Sequence, residues 1–301
     1  MIMKKAIVLF PYKERDLTDL SNTSTAVCRQ LVSLGYEVKS ISMLSSQNGD
    51  YRGDAEKDAF NLLNSGFDAK FILALDYGPW PGTYWNKTNF PNVHLVYECG
   101  DEPQSFYSHS RKAHNSDLIL TPDYRCHSLY SEVFKKRSMW WPQFVIDETY
   151  LTDFNDSSNI CVTTCGDRGD TTRHVQDSLK EKFINKRVWG SDHANFLASG
   201  NVIFQESKNK EITRRVIEGA CLGRCVVADR PAESSRYFDV LKEDDEVIWY
   251  DTKEEAVEKI TYFLDHPEEA REIGRRAKLR VTQEHMCSTR IKSLIERIES
   301  L

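Results

Sequence analysis

No run in this 301-residue sequence approaches the roughly 18 consecutive apolar residues that a membrane-spanning helix needs. The first apolar stretch, residues 6–10, is cut off by Pro11, Tyr12 and Lys13. It is too short for the core of a signal peptide and has no small-residue cleavage site. These residues predict a first β-strand, and the chain is expected to be soluble and cytoplasmic. Nor is there a basic tail: 46 Asp and Glu outnumber 40 Lys and Arg, a formal net charge of −6. A nonspecific nucleic-acid coat protein would be basic; a local basic groove is still compatible with this balance.

Close cysteine pairs are missing too. Among the eight cysteines there is no C-x2-C, and the tightest pairs, Cys161/Cys165 and Cys221/Cys225, are four residues apart. Zinc sites favour tighter pairs, and along a strand that step separates side chains by roughly 13 Å. The cysteines therefore predict small buried hydrophobes, neither a disulfide framework nor a metal site. There is no G-x-G-x-x-G, no P-loop and no D-x-D. The acidic run 243–246 precedes a strand and reads as a solvated loop. No metal site is expected.

What is present is a long alternation of strands and helices. Residues 5–10 read as a strand, a helix with N-cap chemistry in Ser21-Asn22-Thr23-Ser24 ends at Gly35, and residues 36–41 read as a second strand. This β-α-β unit predicts a right-handed parallel crossover. Strands at 71–75, 93–97 and 118–120 follow, with helices at 55–63, 106–114 and 124–134, and residues 139–142 close the half. The polar, aperiodic stretch 147–158 reads as a linker. The alternation then restarts: strands at 159–164, 186–189, 202–204, 225–228 and 246–250, and helices at 171–183, 210–222, 253–264, 268–284 and 287–301. The expected domains are residues 1–150 and 151–301, with the last helix able to cross back.

Ligands of open α/β sheets bind at the carboxyl ends of the strands, so the polar residues there are the candidates. In the second half, Arg215 and Glu218 share a helix face and can address one ligand, or simply pair with each other. The turn Gly166-Asp167-Arg168-Gly169 can aim backbone N–H groups, with Arg168 or Arg173, at a phosphate. Gly190 closes a strand and is either a ligand contact or a plain turn glycine. In the first half, Asp76, Asp101 and Glu102 sit at strand ends, where a helix-capping role competes. Tyr77, Trp80, Tyr84 and Trp85 can stack on a sugar or base, or pack a loop. His109, His114 and His127 are acid/base candidates for which a structural role is the commoner one.

The block 213–229, Thr-Arg-Arg-Val-Ile-Glu-Gly-Ala-Cys-Leu-Gly-Arg-Cys-Val-Val-Ala-Asp, resembles the C-terminal domain of group 1, family 4-like glycosyltransferases, closest to the spore-maturation-protein-like members. The segments 246–251, 253–264, 265–269 and Glu284-His285 resemble the rest of that domain. The segment 97–103 and the segment from Trp141-Pro142 through Asp147 are similar to the family's first half. The resemblance implies an α/β GT-B fold: two Rossmann-like domains whose parallel sheets face across a nucleotide-sized cleft. One departure stands out. Of the E-x7-E pattern common in family 4, Glu218 fits the second position, but Lys210 holds the first, and Glu206 and Glu211 are off register.

The same resemblance implies a hexosyl- or pentosyltransferase, metal-independent and retaining, with a nucleotide-sugar donor, most simply a UDP-sugar. Glu218 would hold the ribose and Gly190 would contact the base. Gly166, Arg168, Arg173 and Arg215 would meet the diphosphate. Asp101 and Arg215 are the expected catalytic residues. Asp76, Tyr77, Trp80 and Glu102 would form the acceptor side. The acceptor is open among a glycan, a small molecule, a protein and a hydroxymethylated DNA base. Lys135-Lys136-Arg137 with Trp140-Trp141 is the feature that keeps DNA in view. A non-catalytic nucleotide or sugar binder and a sugar-nucleotide epimerase are the readings from other classes.

Overall fold

The computed structural model describes residues 3–10, 22–43, 55–76, 84–100, 102–151, 158–165 and 169–301. It divides into two units: Met1–Pro142 with Arg290–Leu301, and Gln143–Thr289. The division thus falls at Pro142, ahead of the stretch expected as a linker, and the C-terminal residues return to the first unit.

The N-terminal unit comprises β1 (Lys4–Phe10), α1 (Thr23–Ser33), β2 (Tyr36–Ser42), α2 (Ala55–Asn64), β3 (Phe71–Asp76), β4 (His94–Cys99), α3 (Phe106–His114), β5 (Leu118–Thr121), α4 (Tyr124–Ser128) and β6 (Ser138–Trp140). Its strands are ordered β2-β1-β3-β4-β5-β6, every pairing parallel. Residues 6–10 of β1 are wholly buried, as expected of a strand covered on both faces. Asn22 caps α1 by accepting the amide of Ser24 at 2.9 Å, and Asp123 caps α4 through the amide of Arg125 at 2.8 Å. The helix expected over 124–134 is not uniform: α4 passes into a π-helical turn at Leu129–Val133.

The C-terminal unit comprises α5 (Asp147–Tyr150), β7 (Ser158–Thr163), α6 (Gly169–Leu179), β8 (Phe183–Asn185), α7 (Ser191–Ala198), β9 (Gly200–Gln205), α8 (Arg214–Cys221), β10 (Cys225–Asp229), β11 (Ile248–Tyr250), α9 (Lys253–Asp265) and α10 (Pro267–Glu284). A last helix, α11 (Cys287–Glu299), begins here and ends in the N-terminal unit. The sheet is parallel, in the order β11-β10-β9-β7-β8. Four sequence expectations shift. The strand expected at 186–189 is β8, at Phe183–Asn185. The helix expected from Lys210 starts at Arg214: Lys210 has a positive φ of 52°, and Thr213 is the extended N-cap. The 147–158 stretch opens with α5, whose Asp147 accepts the amide of Ser288 at 3.0 Å in the first turn of α11. Helix α7 has no counterpart among the expected elements. The cysteines Cys161, Cys165, Cys221 and Cys225 are free and buried, as their sequence context predicts.

Gly219 lets α8 lie close on its sheet. A Cβ there would stand 2.9 Å from Ile203 Cδ1 and Val226 Cγ2. That contact sets the face of α8 that carries Glu218. Among the described residues, no helix is long and apolar enough to cross a membrane.

Candidate functional site

The carboxyl edge of the C-terminal sheet gathers the best-defined polar cluster. β7 leads to Thr164, β9 to Glu206 and β10 ends in Asp229. Helices α6 and α8 begin beside these strand ends, so their N-terminal amides face the same edge.

Glu218, in the second turn of α8, is buried. Its Oε2 lies 3.7 Å from Nδ1 of His193 on α7, and the carboxylate is hydrogen-bonded to Tyr150 at the end of α5. The Tyr150 hydroxyl is in turn 3.0 Å from His193 Nδ1, and His193 Nε2 is 3.3 Å from Thr164 Oγ1. Hydrogen-bonding capacity orients the chain. A carboxylate only accepts and a phenol has one proton to give. Tyr150 therefore donates to Glu218, His193 Nδ1–H donates to Tyr150, and Thr164 donates to His193 Nε2. Burial, and next the Glu218 carboxylate, push the Tyr150 phenol well above its ordinary range. Burial also lowers the His193 pKa; Glu218 opposes this, while Arg215 and Arg214 add to it. The imidazole is thus neutral, as the relay requires.

The first turn of α8 is cationic and uncapped. Thr213 stands at the N-cap without a side-chain cap bond, and its buried Oγ1 has no hydrogen-bond partner among the described residues. Arg214 Nε reaches Gln143 Oε1 at 3.4 Å, with the guanidinium 5.7 Å from the Phe144 ring centroid. Arg215 is half-buried and has no hydrogen-bond or ion-pair partner among the described residues.

The start of α6 is different, because a carboxylate from β9 already occupies it. Glu206 Oε2 accepts the Thr172 amide at 2.9 Å and the Thr172 hydroxyl at 2.5 Å. Gly169, with φ +79°, makes room: a Cβ there would sit 2.2 Å from Glu206 Oε1. Asp229 accepts the Ser207 amide at 2.7 Å and its hydroxyl at 2.5 Å, with Lys210 Nζ at 3.8 Å. Burial raises the Asp229 pKa, against the opposing Ser207 bonds and Lys210.

The sequence candidates distribute unevenly. Glu218 and Arg215 share α8. Arg173 is exposed and paired with Asp170 at 2.5 Å. Gly190 does not close a strand; it is the N-cap of α7, with φ 63°. Gly166, Arg168, Tyr77, Trp80 and Asp101 lie outside the described residues, and Asp76 is described only as the end of β3. Tyr150, His193, Thr164 and Glu206 were not among the candidates. Tyr150 fell in the apparent linker, and His193 is on the helix that periodicity did not reveal.

In the N-terminal unit, Glu102 is buried after β4 and accepts the Tyr130 hydroxyl at 2.6 Å through Oε1. Burial raises its pKa to about 7, against hydrogen bonds from Thr121, Tyr130 and Cys99. His109 is fully buried, with Nδ1 3.4 Å from Tyr97 Oη, and His127 Nδ1 lies 2.9 Å from Ser138 Oγ. Both take the structural role. Trp85 belongs to the core, its Nε1–H donating to Ser116 Oγ at 2.8 Å, and Tyr84 packs against that core. Neither contributes to a stacking platform.

Residues 163–296, which include α6, α7, α8 and His193, match a family model described as glycosyl transferase-like. Nothing among curated proteins matches the chain. Solved structures do. A glycosyltransferase from Rickettsia africae ESF-5 is similar at TM-score 0.68 and 12% identity, over 100% of this chain and 99% of that one. An α-glucosyltransferase in complex with UDP and a 13-mer DNA containing a HMU base is similar at TM-score 0.66 and 12% identity, over 98% and 99%. Anabaena HepE in complex with UDP-glucose is similar at TM-score 0.67 and 9% identity, over 98% and 100%. The fold of the chain is GT-B.

Proposed function

We propose that the chain transfers a sugar from a nucleotide-sugar donor to an acceptor hydroxyl. One observation carries this reading. At the carboxyl edge of the C-terminal sheet, the buried carboxylate of Glu218 is held by the Tyr150–His193–Thr164 relay, one helical turn from the guanidinium of Arg215, which has no partner among the described residues. A carboxylate accepts both hydroxyls of a ribose diol. A guanidinium and an uncapped helix N-terminus suit a diphosphate. The family-model match over this region supports the reading, and the bound UDP and UDP-glucose of the similar structures support UDP as the carrier.

In this reading the anomeric carbon–oxygen bond to the diphosphate breaks as the acceptor oxygen bonds to that carbon, and the hydroxyl proton passes to the departing diphosphate. Negative charge grows on the leaving diphosphate, where Arg215 and the first-turn amides of α8 stabilise it. Helix α6 serves the diphosphate less well, because Glu206 already holds its first-turn donors and Asp170 holds Arg173. We assign Gly190 to the base, and Gly166 and Arg168 to the diphosphate. We assign Asp101 to the acceptor hydroxyl and Asp76, Tyr77, Trp80 and Glu102 to acceptor binding. We read the transfer as metal-independent and retaining, of a hexosyl or pentosyl group. A hydroxymethylated DNA base is the second acceptor reading, supported by Lys135, Lys136 and Arg137 ahead of β6.

Thermal-shift titration with UDP, UDP-glucose and the other nucleoside diphosphates tests this. A binder at a hundredfold excess over its Kd stabilises the fold by about 2.7 kcal/mol. Glu218→Gln and Arg215→Ala should each reduce that shift, the arginine change more for UDP than for UMP. A flat response to every nucleotide would end the donor-site reading. Epimerised donor formed without any acceptor would replace transfer by epimerisation, and binding with neither hydrolysis nor transfer would leave a non-catalytic binder.

A further inference from the structure

A second concave site lies within the N-terminal unit, between α3 and the π-helical turn that follows α4. Its volume is about 470 Å³, within the range of small-ligand pockets. Phe106, Tyr107, Tyr130 and Phe134 wall it, and Lys136 and His114 stand at one end. Phe106 and Tyr107 open one face of α3, which continues one and two turns on through Ser110 and His114.

The walls are preorganised. Phe106 packs on Tyr130 with centroids 5.2 Å apart and on Phe134 at 6.2 Å and 25°. The Tyr130 hydroxyl is committed to Glu102, which fixes its ring. Ring surface is nonetheless open: Tyr107 is 91% and Phe134 44% exposed. At the polar end, Lys136 Nζ donates to His114 O at 2.7 Å, which leaves two ammonium protons for a ligand. Lys135 and Arg137 are exposed on either side. Among the described residues, none that lines the pocket is Asp or Glu.

We propose that this pocket binds a nucleobase with its attached phosphate. Aromatic faces stack any base, and the adjoining cations match a phosphate. A bare sugar fits less well, since the lining offers no carboxylate to accept from its hydroxyls. The site is separate from the donor region and stands whether or not the chain transfers sugar.

The test uses full-length protein carrying Glu218→Ala, so that the donor region does not contribute. A short fluorescein-labelled single-stranded oligodeoxynucleotide is titrated by anisotropy, and AMP and thymidine monophosphate by calorimetry. Tyr107→Ala and Phe134→Ala should each weaken binding about tenfold, and Lys135→Gln should reduce its salt dependence. Binding of the oligonucleotide identifies a strand as the source; binding of the monophosphates alone identifies a free nucleotide. Either result supports the site. Failure of all these probes to bind, or affinity unchanged in both aromatic variants, overturns it. Capture by phosphatidylglycerol vesicles that depends on Tyr107 and Phe134, with no nucleotide binding, overturns it in favour of a membrane surface.

Discussion

The Tyr150 hydroxyl stands 3.0 Å from His193 Nδ1 while bonded to the Glu218 carboxylate, so the phenol links a neutral imidazole to a buried anion. Tyr150→Phe removes the donor and keeps the ring. Glu218 then loses a charge-assisted bond worth about 1.5–3 kcal/mol. The expected result is a lower melting temperature, and a donor KM raised more than kcat falls, because the carboxylate is no longer aimed. An unchanged KM alongside the lower melting temperature would leave Tyr150 a purely structural role.

His193 also gives the relay a pH dependence. Burial and the flanking Arg214 and Arg215 hold its folded pKa below the ordinary 6.5. Between that folded value and 6.5 the unfolded chain binds the extra proton, so stability rises with pH there. The contribution is complete above 6.5 and is lost as pH falls toward the folded pKa. His193→Gln should flatten this part of the stability profile, measured by urea unfolding from pH 5 to 8.

Glu102 has the opposite sign. Its folded pKa is about 7 against an ordinary 4.5, so between those values the folded state holds the proton. The neutral, Tyr130-bonded carboxyl is fully tolerated below 4.5, and stability falls as pH rises through 7. The shift corresponds to on the order of 3 kcal/mol. Glu102→Gln mimics the protonated form. It should raise stability at pH 8 and change it little at pH 5. An equal effect at both would place the strain elsewhere.

Much of this was legible in the sequence, because parallel strands buried on both faces read as apolar runs and their helices end at glycines such as Gly35. The placement of Arg215 and Glu218 one turn apart on α8 followed from helical spacing. What stayed hidden was long-range or short. Tyr150 sits in one helical turn within a polar stretch, and α7 has too few apolar positions to show a period. Glu206 caps a helix that starts 37 residues earlier at Gly169, a contact that neither local sequence announces. That Glu206 holds the Thr172 donors near the start of α6 was not legible beside the Gly166–Gly169 turn, because the carboxylate follows a different strand.

That capping contact yields the last prediction. Gly169 combines a φ of +79° with a carboxylate where its Cβ would be, 2.2 Å from Glu206 Oε1. Gly169→Ala adds left-handed backbone strain and displaces Glu206 from Thr172, so a loss of at least ~1 kcal/mol is expected. Gly169→Ala with Glu206→Ala removes the clash but not the strain. The two changes should therefore be less than additive, by an interaction term of about 0.5–3 kcal/mol in a double-mutant cycle. Strict additivity would mean that the carboxylate does not occupy the start of α6.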